Sequence, residues 1–133
     1  HWPKPHILRN SLLMNNASVE GLFVDCYFKR SPNAGISDKV SFSLICNDQR
    51  IIGIDDGKTS AHRNHVGIGL PYHMQVINHP HLHIPVPDGI SGYAAPLEPA
   101  PAAQLWTRFL SECNIKHAPD FETPESAQTE LLL

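Results

Sequence analysis

Two apolar patterns of different period constrain this chain more than anything else in it. Residues Val40 to Cys46 alternate, with Val40, Phe42, Leu44 and Cys46 on one side and Ser41 and Ser43 on the other. Such alternation marks a half-buried antiparallel strand. From Ala102 to Cys113 the period changes. Leu105, Trp106, Phe109, Leu110 and Cys113 fall on one stripe of a helix. Pro101 suits its first turn and Asn114 its end. A chain of 133 residues has room for one domain and one core. The strand face and the helix stripe must therefore cover each other.

The remaining elements follow from composition and turn residues. Val19 to Arg30 is rich in β-branched and aromatic residues and predicts a strand. Ser31-Pro32-Asn33-Ala34-Gly35 is a turn cluster. Ile51 to Asp55 predicts a strand after a hairpin turn at Asn47-Asp48-Gln49. His79 to Val86 predicts another. Pro80, Pro85 and Pro87 lack the N–H a ladder needs, so this strand lies at an edge or is only partly paired. Gly89 to Gly92 is a turn, and Tyr93 to Leu97 a last strand. Ile7 to Met14, after Pro3 and Pro5, predicts a short helix. The expected fold is α+β: an antiparallel sheet of four or five strands with one main C-terminal helix packed on one face. Residues 1–118 form the single domain, and 119–133 form a polar, acidic surface tail.

Composition excludes some classes of function. Charged residues make up only 17% and the net charge is -3, which argues against a large basic surface for duplex DNA. No apolar run approaches the roughly 20 residues that span a bilayer, and the polar, proline-rich start, His1 to His6, does not read as a signal peptide. Cys26, Cys46 and Cys113 are odd in number, far apart and form no CxxC pair. Free thiols in a reducing cytoplasm are the simplest expectation.

The chemistry is concentrated in one stretch. Asp56 to Asn78 is a long connection rich in glycine and histidine, and long connections within small domains tend to carry function. Six of the nine histidines lie between positions 62 and 83: His62, His65, His73, His79, His81 and His83. If 79–83 is extended, His79, His81 and His83 share a face, and Leu82 and Ile84 look into the core. The imidazoles then look toward solvent or a cleft, where His62 and His65 meet them from the loop.

Three readings of that cluster stay open. His81 and His83, assisted by His62 and oriented by Asp55 or Asn64, could act as base and acid on RNA or another phosphoester, with no cofactor. Alternatively His79, His81, His83, His62 and His65 could supply ligands for zinc or another divalent transition metal, as in a metal-binding module or metal-dependent hydrolase. In the third reading the face is only a polar contact surface of a non-enzymatic interaction protein or inhibitor. Gly67-Ile68-Gly69 lacks the strand–helix context of a phosphate loop.

Two resemblances bear on these readings. His79-Pro80-His81-Leu82-His83-Ile84-Pro85 fits the HxHxHxx pattern of the histidine-triad nucleotide hydrolases. That resemblance implies that His81 attacks phosphorus. Over residues 51–115 a longer set resembles an uncharacterised family of small bacterial proteins reminiscent of the TumE-like toxins. The carrying residues are Asp55, His62, Asn64, Pro80-His81-Leu82-His83-Ile84, Gly92-Tyr93, Ala95-Pro96-Leu97, Phe109 and Cys113-Asn114-Ile115. It implies a toxin-like or mobile-element protein with His62, His81 and His83 as the shared site and RNA or a protein antitoxin as partner. The chain departs from that pattern where an Arg-Glu pair usually follows the histidine strand; here stand Pro85-Val86-Pro87-Asp88.

The cysteine argument is directly testable. A thiol count on the unfolded, unreduced protein should find all of Cys26, Cys46 and Cys113 reactive. A count lower by two would reveal a disulfide and overturn the cytoplasmic reading.

Overall fold

A computed structural model describes residues 6–32, 35, 36, 38–58 and 60–122. Its strands are β1 (His6–Met14), β2 (Ala17–Lys29), β3 (Lys39–Cys46), β4 (Gln49–Asp56), β5 (His62–Arg63), β6 (Val76–Ile77), β7 (His81–His83) and β8 (Ala94–Pro96), followed by the helix α1 (Ala102–Cys113). Six strands make one antiparallel sheet in the order β1-β2-β3-β4-β7-β8, and β5 and β6 pair separately.

The architecture is the expected α+β, with one more strand in the main sheet. The addition is β1, where Ile7 to Met14 was expected to be helical. Asn15 and Asn16 account for the difference. Both take the left-handed conformation, with φ of 52° and 64°, and join β1 to β2 in a two-residue turn. Asparagine tolerates that conformation better than most residues, and the turn's twist matches that of paired strands. An isolated helix of this length is marginal in water, whereas the edge of β2 offers backbone partners along most of β1. Asn47 and Asp48 repeat the device between β3 and β4, with φ of 49° and 65°.

The core forms where the two apolar patterns meet. Val24 and Phe28 of β2, Val40, Phe42 and Leu44 of β3, Ile54 of β4 and Leu82 of β7 pack against Leu105, Trp106 and Phe109 of α1. Phe42 is fully buried at the centre, its ring 5.1 Å from Trp106 and 5.9 Å from Phe109. Leu110 and Cys113 lie half-buried at the rim. At its end α1 is closed by Asn114 in the left-handed conformation, which brings the Asn114 and Ile115 N–H groups back to the Ser111 and Leu110 carbonyls.

The domain extends past the expected boundary at 118. Trp106 Nε1 donates to the Pro119 carbonyl at 2.9 Å, and the Phe121 ring lies 5.4 Å from Phe42. An aromatic ring with an open hydrophobic neighbour is better buried than solvated, so the first tail residues join the core. The rest of the tail, from residue 123, lies outside the described residues, as do Asn33 and Ala34 of the first turn.

Within the sheet, His79 to Val86 pairs over three residues, His81–His83, between β4 and β8, and Val86 makes an isolated bridge to Gly89. It is an interior strand and not an edge; Pro80 and Pro85 stand just outside its ladder. The three cysteines are free. Burial pushes the Cys26 thiol up to about 11 and the Cys113 thiol up to about 12, which makes both poor nucleophiles. Among the described residues no helix is long and apolar enough to cross a membrane.

Because Phe109 is wholly enclosed, Phe109→Ala should cost about 3–5 kcal/mol by leaving a cavity between α1 and β3. Urea unfolding would measure it, and a loss below about 1 kcal/mol would show that α1 is not the cover of the sheet.

Candidate functional site

The face of the sheet turned away from α1 carries the site. Across β3, β4 and β7 the register sets Ser41 opposite Asp55 and Asp55 opposite His81, with Gly53 opposite His83. Alternation sends Phe42, Ile54 and Leu82 into the core and these residues to the other side. The sequence therefore brings Asp55 between a serine and two histidines by strand pairing alone.

One participant was not foreseen. Between Leu44↔Ile52 and Ile45↔Arg50 the β3–β4 register shifts by one residue. This β-bulge leaves Ile51 unpaired and reverses the alternation before it. Arg50 would otherwise share the core side with Ile52 and Ile54. Instead it reaches Asp55, with Nη1 donating to Oδ2 at 3.0 Å and Nη2 to Oδ1 at 2.8 Å. Nη2 also donates to the Phe42 carbonyl at 3.1 Å, and Ser41 Oγ donates to Asp55 Oδ1 at 2.7 Å. The guanidinium lies over Gly53, where any Cβ would collide with it. The adjacent Ile51 and Ile52, which break alternation, are the sequence signal that could have revealed the bulge. Arg50 Nε is buried without an acceptor, a cost of about 1–3 kcal/mol that the Asp55 fork offsets.

The histidine rings converge on Asp55 Oδ2. His83 Nε2 lies 3.1 Å from that oxygen and His81 Nε2 3.6 Å from it. His81 Nδ1 is 3.2 Å from the Asn78 carbonyl, and His62 Nε2 is 2.7 Å from the Gly92 carbonyl. A carbonyl only accepts, so both of those nitrogens carry the proton. His81 Nε2 faces the carboxylate at 3.6 Å, beyond the length of a good hydrogen bond. The His62 ring stands 4.9 Å from His83 and 6.1 Å from His81, and His81 and His83 are 4.8 Å apart. Donor atoms of Asp55, His81 and His83 lie within 4.8 Å of one another.

Electrostatics follow from this crowding. Burial disfavours the Asp55 charge, but contacts with His81, His83 and Arg50 outweigh it and hold the carboxyl far below its usual range. Burial lowers the His83 pKa, and Asp55 offsets this only in part, so the ring is neutral at neutral pH.

The other expected residues lie elsewhere. His81 was expected on an open polar face; it is 1% exposed, enclosed by the strands and loop around it. His79 does not share the face of His81 and His83, because the ladder begins only at His81. Its Nδ1 pairs at 2.7 Å with Asp56, which belongs to the core side of β4, in a cleft of about 250 Å³ with Pro80, Pro99 and Ala100. His65 is exposed and outside the ring cluster, while His62, two residues before Asn64, enters it. Asn64 is fully buried, and its amide is committed to backbone: Nδ2 donates to the Tyr72 and Ala94 carbonyls, and Oδ1 accepts from the Ala94 N–H. It clamps the 57–78 loop to β8 and has no donor left for a substrate. The Gly67 and Ile68 N–H groups are taken by the Asp88 carboxylate.

No family model, curated protein or solved structure matches this chain. The site therefore has to be read from its own chemistry.

Asp55→Asn should cost about 2–3 kcal/mol, between the exposed and buried limits, because Arg50 keeps its charge without a counterion. In the parent the Asp55 contribution is present above its unfolded value of 3.8 and is lost as pH falls below it. Thermal unfolding across pH 3–7 should show that acid loss in the parent and a shallower one in the variant. Equal profiles would show that the carboxylate is not paired as described.

Proposed function

We propose that Asp55, His81 and His83 bind a divalent transition metal of the zinc type and that the protein is a metal-dependent hydrolase. The observation that carries this reading is the spacing around Asp55 Oδ2. Two ligands about 2.0–2.1 Å from a tetrahedral ion stand about 3.3 Å apart. The oxygen lies 3.1 Å from one imidazole nitrogen and 3.6 Å from the other, on either side of that value. His81 Nε2 and Asp55 Oδ2 face each other across a 3.6 Å gap that a bound cation would bridge. The Nδ1–H bond from His81 to Asn78 is the outer hydrogen bond that a metal-bound imidazole usually makes. Binding requires His83 to carry its proton on Nδ1, and its neutral state at neutral pH permits that.

A second reading is favoured by the 3.1 Å contact itself. Without metal, Asp55 and His83 form an acid–base pair with His62 beside it, acting on a phosphoester such as RNA. A toxin-like role with a protein antitoxin belongs to this reading. His81, at 1% exposure, has no access to a polymer in it.

Metal analysis separates the two. Chelator-treated protein returned to zinc should take up about one equivalent, with X-ray absorption distances of about 2.0–2.2 Å to nitrogen and oxygen. His83→Ala should lose that binding while His65→Ala keeps it. Equal metal content in all three proteins, or none in the parent, would defeat the metal reading.

A further inference from the structure

The surroundings of Asp55 bear on what the metal would hold besides protein. Among Asp55, His81 and His83 the aspartate is the only carboxylate, and its charge is matched by Arg50 through two hydrogen bonds. With neutral imidazoles, a dication bound there keeps nearly its whole double charge. The fork also limits how Asp55 binds. Oδ1 already accepts from Arg50 Nη2 and Ser41 Oγ, whereas Oδ2 accepts from Arg50 Nη1 and is the oxygen that also faces both histidines. One oxygen and two nitrogens make three ligands, one fewer than a tetrahedral ion takes. His81 closes one side, but Asp55 and His83 remain partly exposed, with side-chain accessibilities of 19% and 15%. Solvent reaches the cluster on the side of Asp55 and His83, where the Arg50 side chain, itself 28% exposed, lies against Asp55.

We infer that the open position of this metal site takes an oxyanion of the phosphate type, and that Arg50 is the positioning residue that keeps the site cationic for it. The inference rests on the metal reading above. An uncompensated carboxylate would cancel part of the ion's charge and weaken anion binding; the Arg50 pair prevents that. A phosphate oxygen at the open position would meet a metal ion and a guanidinium from adjacent directions, the combination that suits phosphoester recognition.

The test uses the full chain loaded with cobalt(II), whose visible spectrum reports its ligands, titrated with inorganic phosphate. Phosphate should change the spectrum saturably. Arg50→Gln should bind cobalt as well as the parent or better, because Asp55 is freed, while its phosphate affinity falls about tenfold. Arg50→Lys should restore most of the phosphate affinity. A merely structural role for Arg50 would weaken cobalt and phosphate binding together. Cobalt binding with no response to phosphate would overturn the inference and leave the metal reading standing. So would undiminished phosphate affinity in Arg50→Gln. Failure of the parent to bind cobalt would defeat the metal reading, and this inference with it. If Arg50→Gln does not fold, the parent titration and Arg50→Lys still decide: no phosphate response in the parent, or none in folded Arg50→Lys, overturns the inference.

Discussion

Burial of Phe42 against α1 is the contact on which the rest of the molecule depends. It sits on the central part of the sheet and touches Trp106, Phe109 and Phe121 at once. By fixing which face of β3 is inside, it also fixes the outside face of β3, β4 and β7, because alternation leaves no freedom between the two. Ser41, Asp55, His81 and His83 meet on one side because Phe42, Ile54 and Leu82 meet on the other. The hydrophobic core and the polar site are two faces of one registration.

On the polar face the controlling quantity is the Asp55 charge. A half-buried carboxylate among histidines would be unfavourable alone, and Arg50 makes it tenable. The arrangement has its own cost, since Arg50 Nε has no acceptor and Gly53 must do without a side chain. Such costs are concentrated where geometry serves chemistry more than stability. The same pairing turns one carboxylate oxygen, Oδ2, toward both His81 and His83.

A buried amide joins the long loop to β8. Asn64 imitates a strand partner for Ala94, offering an acceptor to its N–H and a donor to its carbonyl, and so replaces a backbone ladder between loop and sheet. His62, two residues earlier, is then aimed by the Gly92 carbonyl at the His83 ring. A polar residue buried without exposure thus serves the site by placing the loop, although its own atoms are closed to ligand.

Local pattern was sufficient for much of this. The period of Val40 to Cys46, the stripe from Leu105 to Cys113 and the stop at Asn114 determined the strand, the helix and their mutual burial, because each depends on near neighbours alone. The density of histidine marked the stretch that supplies most of the polar cluster. Pairing decided the rest. Whether Ile7 to Met14 became helix or strand depended on the edge of β2, which a local reading does not contain. The bulge at Ile51 turned Arg50 from the core to Asp55, and a one-residue shift of register reverses every side chain beyond it. Which histidines met was likewise a tertiary decision: the ladder begins at His81, so His79 pairs with Asp56, while the Asn64 clamp brings His62 in and leaves His65 outside. Sequence supplied the donors; only strand register could select among them, because selection required distances across strands remote in the chain.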